Sequence, residues 1–215
     1  MSHEEQTDLR IRRTHHFLQE AMIELVTEKG FDAITVGDIA ERAMINRATF
    51  YRHYQDKYDL VAMIFEEAAN HLVEDMKPLH KDIDPGEKEE NLLEIWNQFF
   101  EHIAEHARLY RAMLGKNGSP WFAARMREHI MKLILENERR WEQQAGPRPR
   151  PRIDPAMPNT LPVMQISYVL IGTIVWWLES EKNYTPRQMT TWFWRFVFYG
   201  YLSVRGYEAP AQGKE

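Results

Sequence analysis

Residues 35–57 read TVGDIAERAMINRATFYRHYQDK. Two short helices are expected there, separated by Met44, Ile45 and Asn46. Thr35 is a good N-cap, and Asp38 three residues later makes a variant of the capping box. Val36, Ile39, Ala40 and Ala43 then recur on one helical face. Asn46 is a second good N-cap, opening a helix from Arg47 to Tyr54. Asp56 caps the helix after that. Two short helices around a tight turn form a helix-turn-helix, whose second helix can enter the major groove of DNA, where base edges are distinguishable. The same arrangement occurs in proteins that never meet DNA, so spacing alone leaves both uses open.

Outward from this stretch the chain reads as helix, and the fold class expected is all-α. Before it, Leu18, Ala21, Met22, Leu25 and Val26 mark one apolar face of a helix from about Arg10 to Lys29, with Gly30 as C-cap. After it, a long helix from Lys57 to about Met76 carries Leu60, Val61, Ile64, Phe65, Ala68, Leu72 and Val73 as its stripe. Residues 78–90 are polar and contain Pro85-Gly86, which marks a connection. Further helices are expected from about Asn91 to His106, in a short piece ending at Gly115, and from Ser119-Pro120 to about Gln144. The proline-rich run 146–158, GPRPRPRIDPAMP, breaks the pattern. Two long apolar helices follow, the last opened by Thr185, Pro186 and Gln188 and running to Leu202.

Charge supports a local nucleic-acid surface rather than a global one. The 215 residues carry a net charge of −5, so the chain does not coat polyanions by charge alone. Within residues 42–57, however, Arg42, Arg47, Arg52 and Lys57 face Asp56 as the single acid. Arg10, Arg12 and Arg13 form a second cluster. The absence of cysteine excludes disulfides, thiolate metal sites and cysteine nucleophiles. The opening MSHEEQTDLR is acidic and polar, so no export signal is expected and the location expected is cytoplasmic. Residues 161–178, LPVMQISYVLIGTIVWWL, approach the length of a membrane span. Pro162, Gln165, Ser167, Tyr168 and Thr173 interrupt them, so a buried bundle helix is expected and no membrane partner.

The stretch from Phe17 to Leu60 resembles the DNA-binding domain of the tetracycline-repressor family of bacterial regulators. The resemblance rests on Ala21, Gly30-Phe31, Thr35-Val36, Asp38-Ile39-Ala40, Ala43, Thr49-Phe50-Tyr51, His53-Tyr54, Lys57 and Leu60. It implies a DNA-binding domain over residues 1–56 and a helical ligand-binding and dimerization domain over 57–215. It also implies a homodimer, two recognition helices about one DNA turn apart, and a roughly palindromic operator. Arg47, Ala48, Thr49 and Tyr51 would face the groove. His53 would reach phosphate or base, and Lys57 and Thr35 would hold phosphates. Phe50 and Tyr54 are expected in the core. Where the family usually places glycine in the turn, this chain has Met44, at a position that favours φ > 0.

The C-terminal aromatics admit two uses. Trp96, Phe99, Phe100 and Tyr110, with Trp121, Met126, Met164 and Tyr168, could line a pocket for an unnamed small-molecule effector, or could be core. In the last two helices Ile174, Trp177, Trp192, Phe196 and Tyr199 are expected at the dimer interface that the family forms there, because helices apolar nearly all round need covering on several sides. The run HIAEH, His102 to His106, matches an inverted zinc-protease pattern, and a hydrolase using His102, Glu105 and His106 is the competing reading. No third ligand stands out, and no nucleophile elbow or phosphate-binding glycine loop is present. No catalytic residue, metal or cofactor is therefore expected. A third reading keeps the fold as an activator or interaction protein without a small ligand.

Overall fold

The computed structural model describes residues 3–80, 89–145, 157, 158, 160–197 and 200. All regular elements among them are helices: α1 (His3–Lys29), α2 (Val36–Arg42), α3 (Arg47–His53), α4 (Lys57–His80), α5 (Glu89–Glu105), α6 (Ala107–Leu114), α7 (Pro120–Ala145), α8 (Thr160–Glu179) and α9 (Pro186–Val197). The all-α expectation holds. The expected end of the last helix at Leu202, the residues Tyr199 and 81–88, and most of the proline-rich run lie outside the described residues.

The chain forms two compact units. The first comprises residues 1–71 with 107–124, the second residues 72–106 with 125–215. Sequence order suggested a boundary after residue 56, but the spatial units cut across it. The first unit takes in the start of α4, all of α6 and the start of α7, because their apolar faces complete its core.

In the first unit, α1 buries Leu18, Ala21, Met22, Leu25 and Val26, as its periodicity required. Against them lie Ile39 and Ala40 of α2, Phe50 and Tyr54 at α3, and Leu60, Val61 and Ile64 of α4. Phe65 and Phe122 meet edge to face at 5.5 Å. Gly30 ends α1 at φ 79, a conformation glycine adopts without cost. Between α6 and α7 the turn is so tight that a Cβ on Gly118 would stand 2.3 Å from the Met113 carbonyl oxygen. That turn docks on the α1–α2 loop, where the Phe31 N–H donates to the Asn117 carbonyl at 2.9 Å.

In the second unit, α5 packs along α9 through rings. Trp96 and Phe193 lie 4.9 Å apart, and Phe100 meets Trp177 at 5.6 Å and Phe193 at 5.9 Å. The Trp177 indole N–H donates to the Tyr184 carbonyl at 2.9 Å, tying α8 to the loop before α9. Helix α8 is long and apolar enough to cross a bilayer by composition, and half of its most apolar window is buried within the chain.

Candidate nucleic-acid interface

Local capping builds the helix-turn-helix. The Thr35 hydroxyl accepts the Asp38 N–H, and the Asp38 carboxylate accepts both the N–H and the O–H of Thr35, completing the box that this spacing suggests. Asn46 accepts the Ala48 N–H at 2.8 Å and opens α3. Between them Met44 sits at φ 54 and is 90% exposed. The turn therefore keeps the left-handed geometry that glycine would accept without strain, and methionine bears the cost.

Helix α3 is two-faced. Phe50 and Tyr54 are buried, while Arg47, Ala48, Tyr51 and Arg52 are exposed. Positions 47, 48 and 51 share one side of the helix by their spacing. Arg47 is pre-oriented on that side: its Nη2 donates to the Tyr51 hydroxyl at 3.2 Å, and its guanidinium lies 5.6 Å from the centre of that ring. Thr49 and His53 are half-buried. The expected groove-facing set is thus brought together on one helix, with the expected core residues behind it.

Three polar residues expected near phosphate are engaged elsewhere. Lys57 donates to the carbonyls of Phe31, Asp32 and Ile34, at 2.9, 3.1 and 3.0 Å, which compete with the phosphate expected of it. Arg42 pairs with Glu28 and Glu24 of α1, which removes it from the expected phosphate-facing cluster. Arg108 of α6 pairs with Glu20 and shares Glu24 with Arg42. Thr35 spends its hydroxyl and N–H on Asp38, whose carboxyl is held well below the usual range by Lys29 and then by Thr35. An ionised carboxylate at that helix start opposes a phosphate there. The pairings of Lys57, Arg42 and Arg108 join residues far apart in sequence, and no local signal announces them.

The remaining expectations divide. Trp96, Phe99, Phe100 and Met126 belong to the second unit, Phe99, Phe100 and Met126 being buried. Tyr110 and Trp121 belong to the first, and burial drives the Tyr110 hydroxyl far above its usual pKa. Met164 and Tyr168 are exposed, 39% and 56%, with the Arg127 guanidinium 4.7 Å from the centre of the Tyr168 ring. Ile174 and Trp177 are buried within their own chain, whereas Trp192 and Phe196 are exposed. His102 is buried with its ring 4.6 Å from that of His106, and among the described residues no three metal-ligating side chains converge. Sequence reasoning missed the exposed Tyr168, Val169 and Trp176 as the open side of α8, because the few polar residues of that helix mark no single face.

Residues 18–64 match the family of bacterial regulatory proteins, tetR family, and residues 90–198 match a transcriptional regulator C-terminal region. The dhaKLM operon transcriptional activator DhaS of Lactococcus lactis is 25% identical over 129 residues, 59% of this chain and 64% of that one. Curated relatives are matched over 19% to 64% of their own length, so the chain spans less than two thirds of them. A putative TetR-family regulator from Syntrophomonas wolfei superposes with a TM-score of 0.70 at 15% identity, over 93% of this chain and 99% of that one. Thermus thermophilus FadR, a repressor in complex with lauroyl-CoA, superposes with a TM-score of 0.57 at 20% identity, over 93% and 100%. At these identities the superpositions speak for the fold.

Proposed function

This chain belongs to the tetR family of bacterial regulatory proteins, a family of DNA-binding transcriptional regulators and not of enzymes, and from that premise we propose that it represses transcription by binding a palindromic operator as a homodimer. The observation that carries this reading is α3 itself. It presents Arg47, Ala48 and Tyr51 to solvent on one side while Phe50 and Tyr54 anchor the other. Arg47 is held by Tyr51 in a posture suited to a guanine edge or a phosphate, Thr49 and His53 flank it, and Arg52 adds an exposed cation. The palindrome follows from two-fold pairing of identical readers.

The dimer face we propose lies on α8 and α9. Trp176, Trp192 and Phe196 are 52%, 45% and 59% exposed within one chain, an apolar expanse that a second copy would cover. Trp176 stacks on Tyr184 at 5.5 Å, and Tyr184 meets Trp192 at 5.2 Å, so the rings form one continuous surface. Ile174 and Trp177 support that surface from behind.

We assign effector binding to the second unit, around the ring cluster of Trp96, Phe99 and Phe100 on α5. Asn97 Oδ1 and Gln98 Oε1 on the same helix are buried without a hydrogen-bond donor among the described residues. A small molecule with an apolar body and a donor group would satisfy them. An effector that binds a non-reading arrangement better weakens operator affinity by that difference. The relative DhaS is named an activator, which makes activation the second reading.

The test is selection of binding sites from random duplex DNA at low salt, beside an Arg47→Ala/Tyr51→Ala control. Enrichment of a palindrome by the wild type alone is expected. A reporter placed behind that site then separates repression from activation. Failure to enrich any sequence would overturn the reading of α3.

A further inference from the structure

His15 lies on α1, outside the helix-turn-helix, yet its imidazole meets the end of α3. Its Nδ1 is hydrogen-bonded to the Tyr54 hydroxyl. Tyr54 is the C-cap of α3 and is 3% exposed. The His15 ring also stands edge-on to the His53 ring, with centres 5.4 Å apart. One side chain of α1 therefore holds two consecutive residues at one end of the helix that reads DNA.

Protonation changes what this ring can do. A neutral imidazole carrying its hydrogen on Nε2 accepts the Tyr54 O–H at Nδ1. Burial, then Glu67 and Asp59 of α4, keep that hydroxyl protonated far above its usual range, so it remains a donor. An imidazolium carries N–H at both nitrogens and can only donate. The bond can then persist only reversed, with Nδ1–H donating to the Tyr54 oxygen, and the Tyr54 hydrogen must turn away from His15 within a largely buried site. The new cation also stands beside His53. Among the described residues, His53 at the end of α3, Tyr54 at its cap and Glu67 from α4 act on His15, and Arg12 precedes it by three positions on α1. Burial first, and His53 second, hold the His15 pKa below its ordinary 6.5, while Glu67 pulls the other way.

We propose that His15 is a positioning residue of the reading head: when neutral it pins the C-terminal end of α3 to α1, and when protonated it must reverse its bond to Tyr54 beside His53, which loosens that end and weakens DNA recognition. This inference rests on the reading of α3 as the recognition helix.

Three proteins test it against the duplex that the wild type selects at about pH 7.5: wild type, His15→Asn, which keeps an acceptor that does not titrate, and His15→Leu, which has none. Affinities are measured at about pH 7.5 and about pH 5.5 at constant ionic strength. At the higher pH the wild type and His15→Asn should bind alike, roughly three- to tenfold tighter than His15→Leu, the worth of one hydrogen bond. As the pH falls below 6.5 the wild type should move progressively toward the His15→Leu level while His15→Asn holds. Protonation of histidines remote from His15 moves all three together and cancels in the ratios. A wild-type to His15→Asn ratio that stays constant across this range overturns the inference and leaves DNA reading intact. If the wild type selects no sequence at the higher pH, the reading of α3 has failed and the inference falls with it.

Discussion

The ammonium of Lys57, the first residue of α4, lies 2.9 Å from the carbonyl oxygen of Phe31 and 4.6 Å from the centre of its ring. The carbonyls of Asp32 and Ile34 complete its shell. The N–H of Phe31 meanwhile donates to Asn117 in the α6–α7 turn. The loop that launches the helix-turn-helix is thus held from two elements far away in sequence.

Lys57→Met should therefore lower stability by about 2 kcal/mol, the scale of hydrogen bonds to a charged group. It should leave the slope of log affinity against log salt unchanged. Arg47→Ala, if Arg47 meets a phosphate, should reduce that slope by about 0.9. Urea denaturation and a salt titration of operator binding read the two effects separately. A Lys57→Met slope reduced like that of Arg47→Ala would show that Lys57 leaves its carbonyls for DNA.

Met44 holds φ 54 and is 90% exposed, so little packing offsets its strain. Met44→Gly should raise stability by about 0.5–1 kcal/mol, the left-handed strain relieved less the chain entropy that glycine adds to the unfolded state. The urea midpoint should rise without a change in m-value. A lowered midpoint would mean that the Met44 side chain has a supporting role.

Asp38 links the α2 cap to Lys29 of α1, at 2.8 Å. Its folded-state pKa is depressed, so its contribution is present above the ordinary 3.8 and is lost as pH falls below that value. Asp38→Asn should be less stable than wild type at neutral pH, and the difference should narrow through acid. Thermal unfolding across that range checks it, and a gap that widens in acid would contradict the assignment.

Phe196 is 59% exposed on α9, and Ile174 on α8 is fully buried. Phe196→Glu should yield a folded monomer with weakened operator binding, since a charge cannot be buried cheaply between two copies. Ile174→Ala should instead cost about 2–4 kcal/mol of stability through the cavity it leaves. Sedimentation equilibrium and urea denaturation separate the outcomes. A Phe196→Glu dimer as tight as wild type would move the interface elsewhere.

The reading head was legible in one dimension because its signals are local. Thr35 with Asp38, Asn46 before Arg47, and the apolar spacing of Ile39, Ala40, Phe50 and Tyr54 act within a turn or two of backbone. Capping and periodicity over that distance dictated where α2 and α3 start and which side of each is buried. The family pattern over Phe17–Leu60 added the use to which α3 is put.

Only the tertiary structure decided which polar groups remain for a partner. By type, Arg42, Arg47, Arg52 and Lys57 are four equal cations. Glu24 and Glu28, eighteen and fourteen residues before Arg42, claim one of them, and carbonyls over twenty residues before Lys57 claim another. His15 likewise acquires its role from Tyr54, thirty-nine residues on. In α8 the polar residues are too few and scattered to mark a solvent side, so its open face, Tyr168 and Trp176, is set by which elements pack against the helix. Charge neutralisation and burial depend on which segments meet in space, and a sequence carries residue types without their distances.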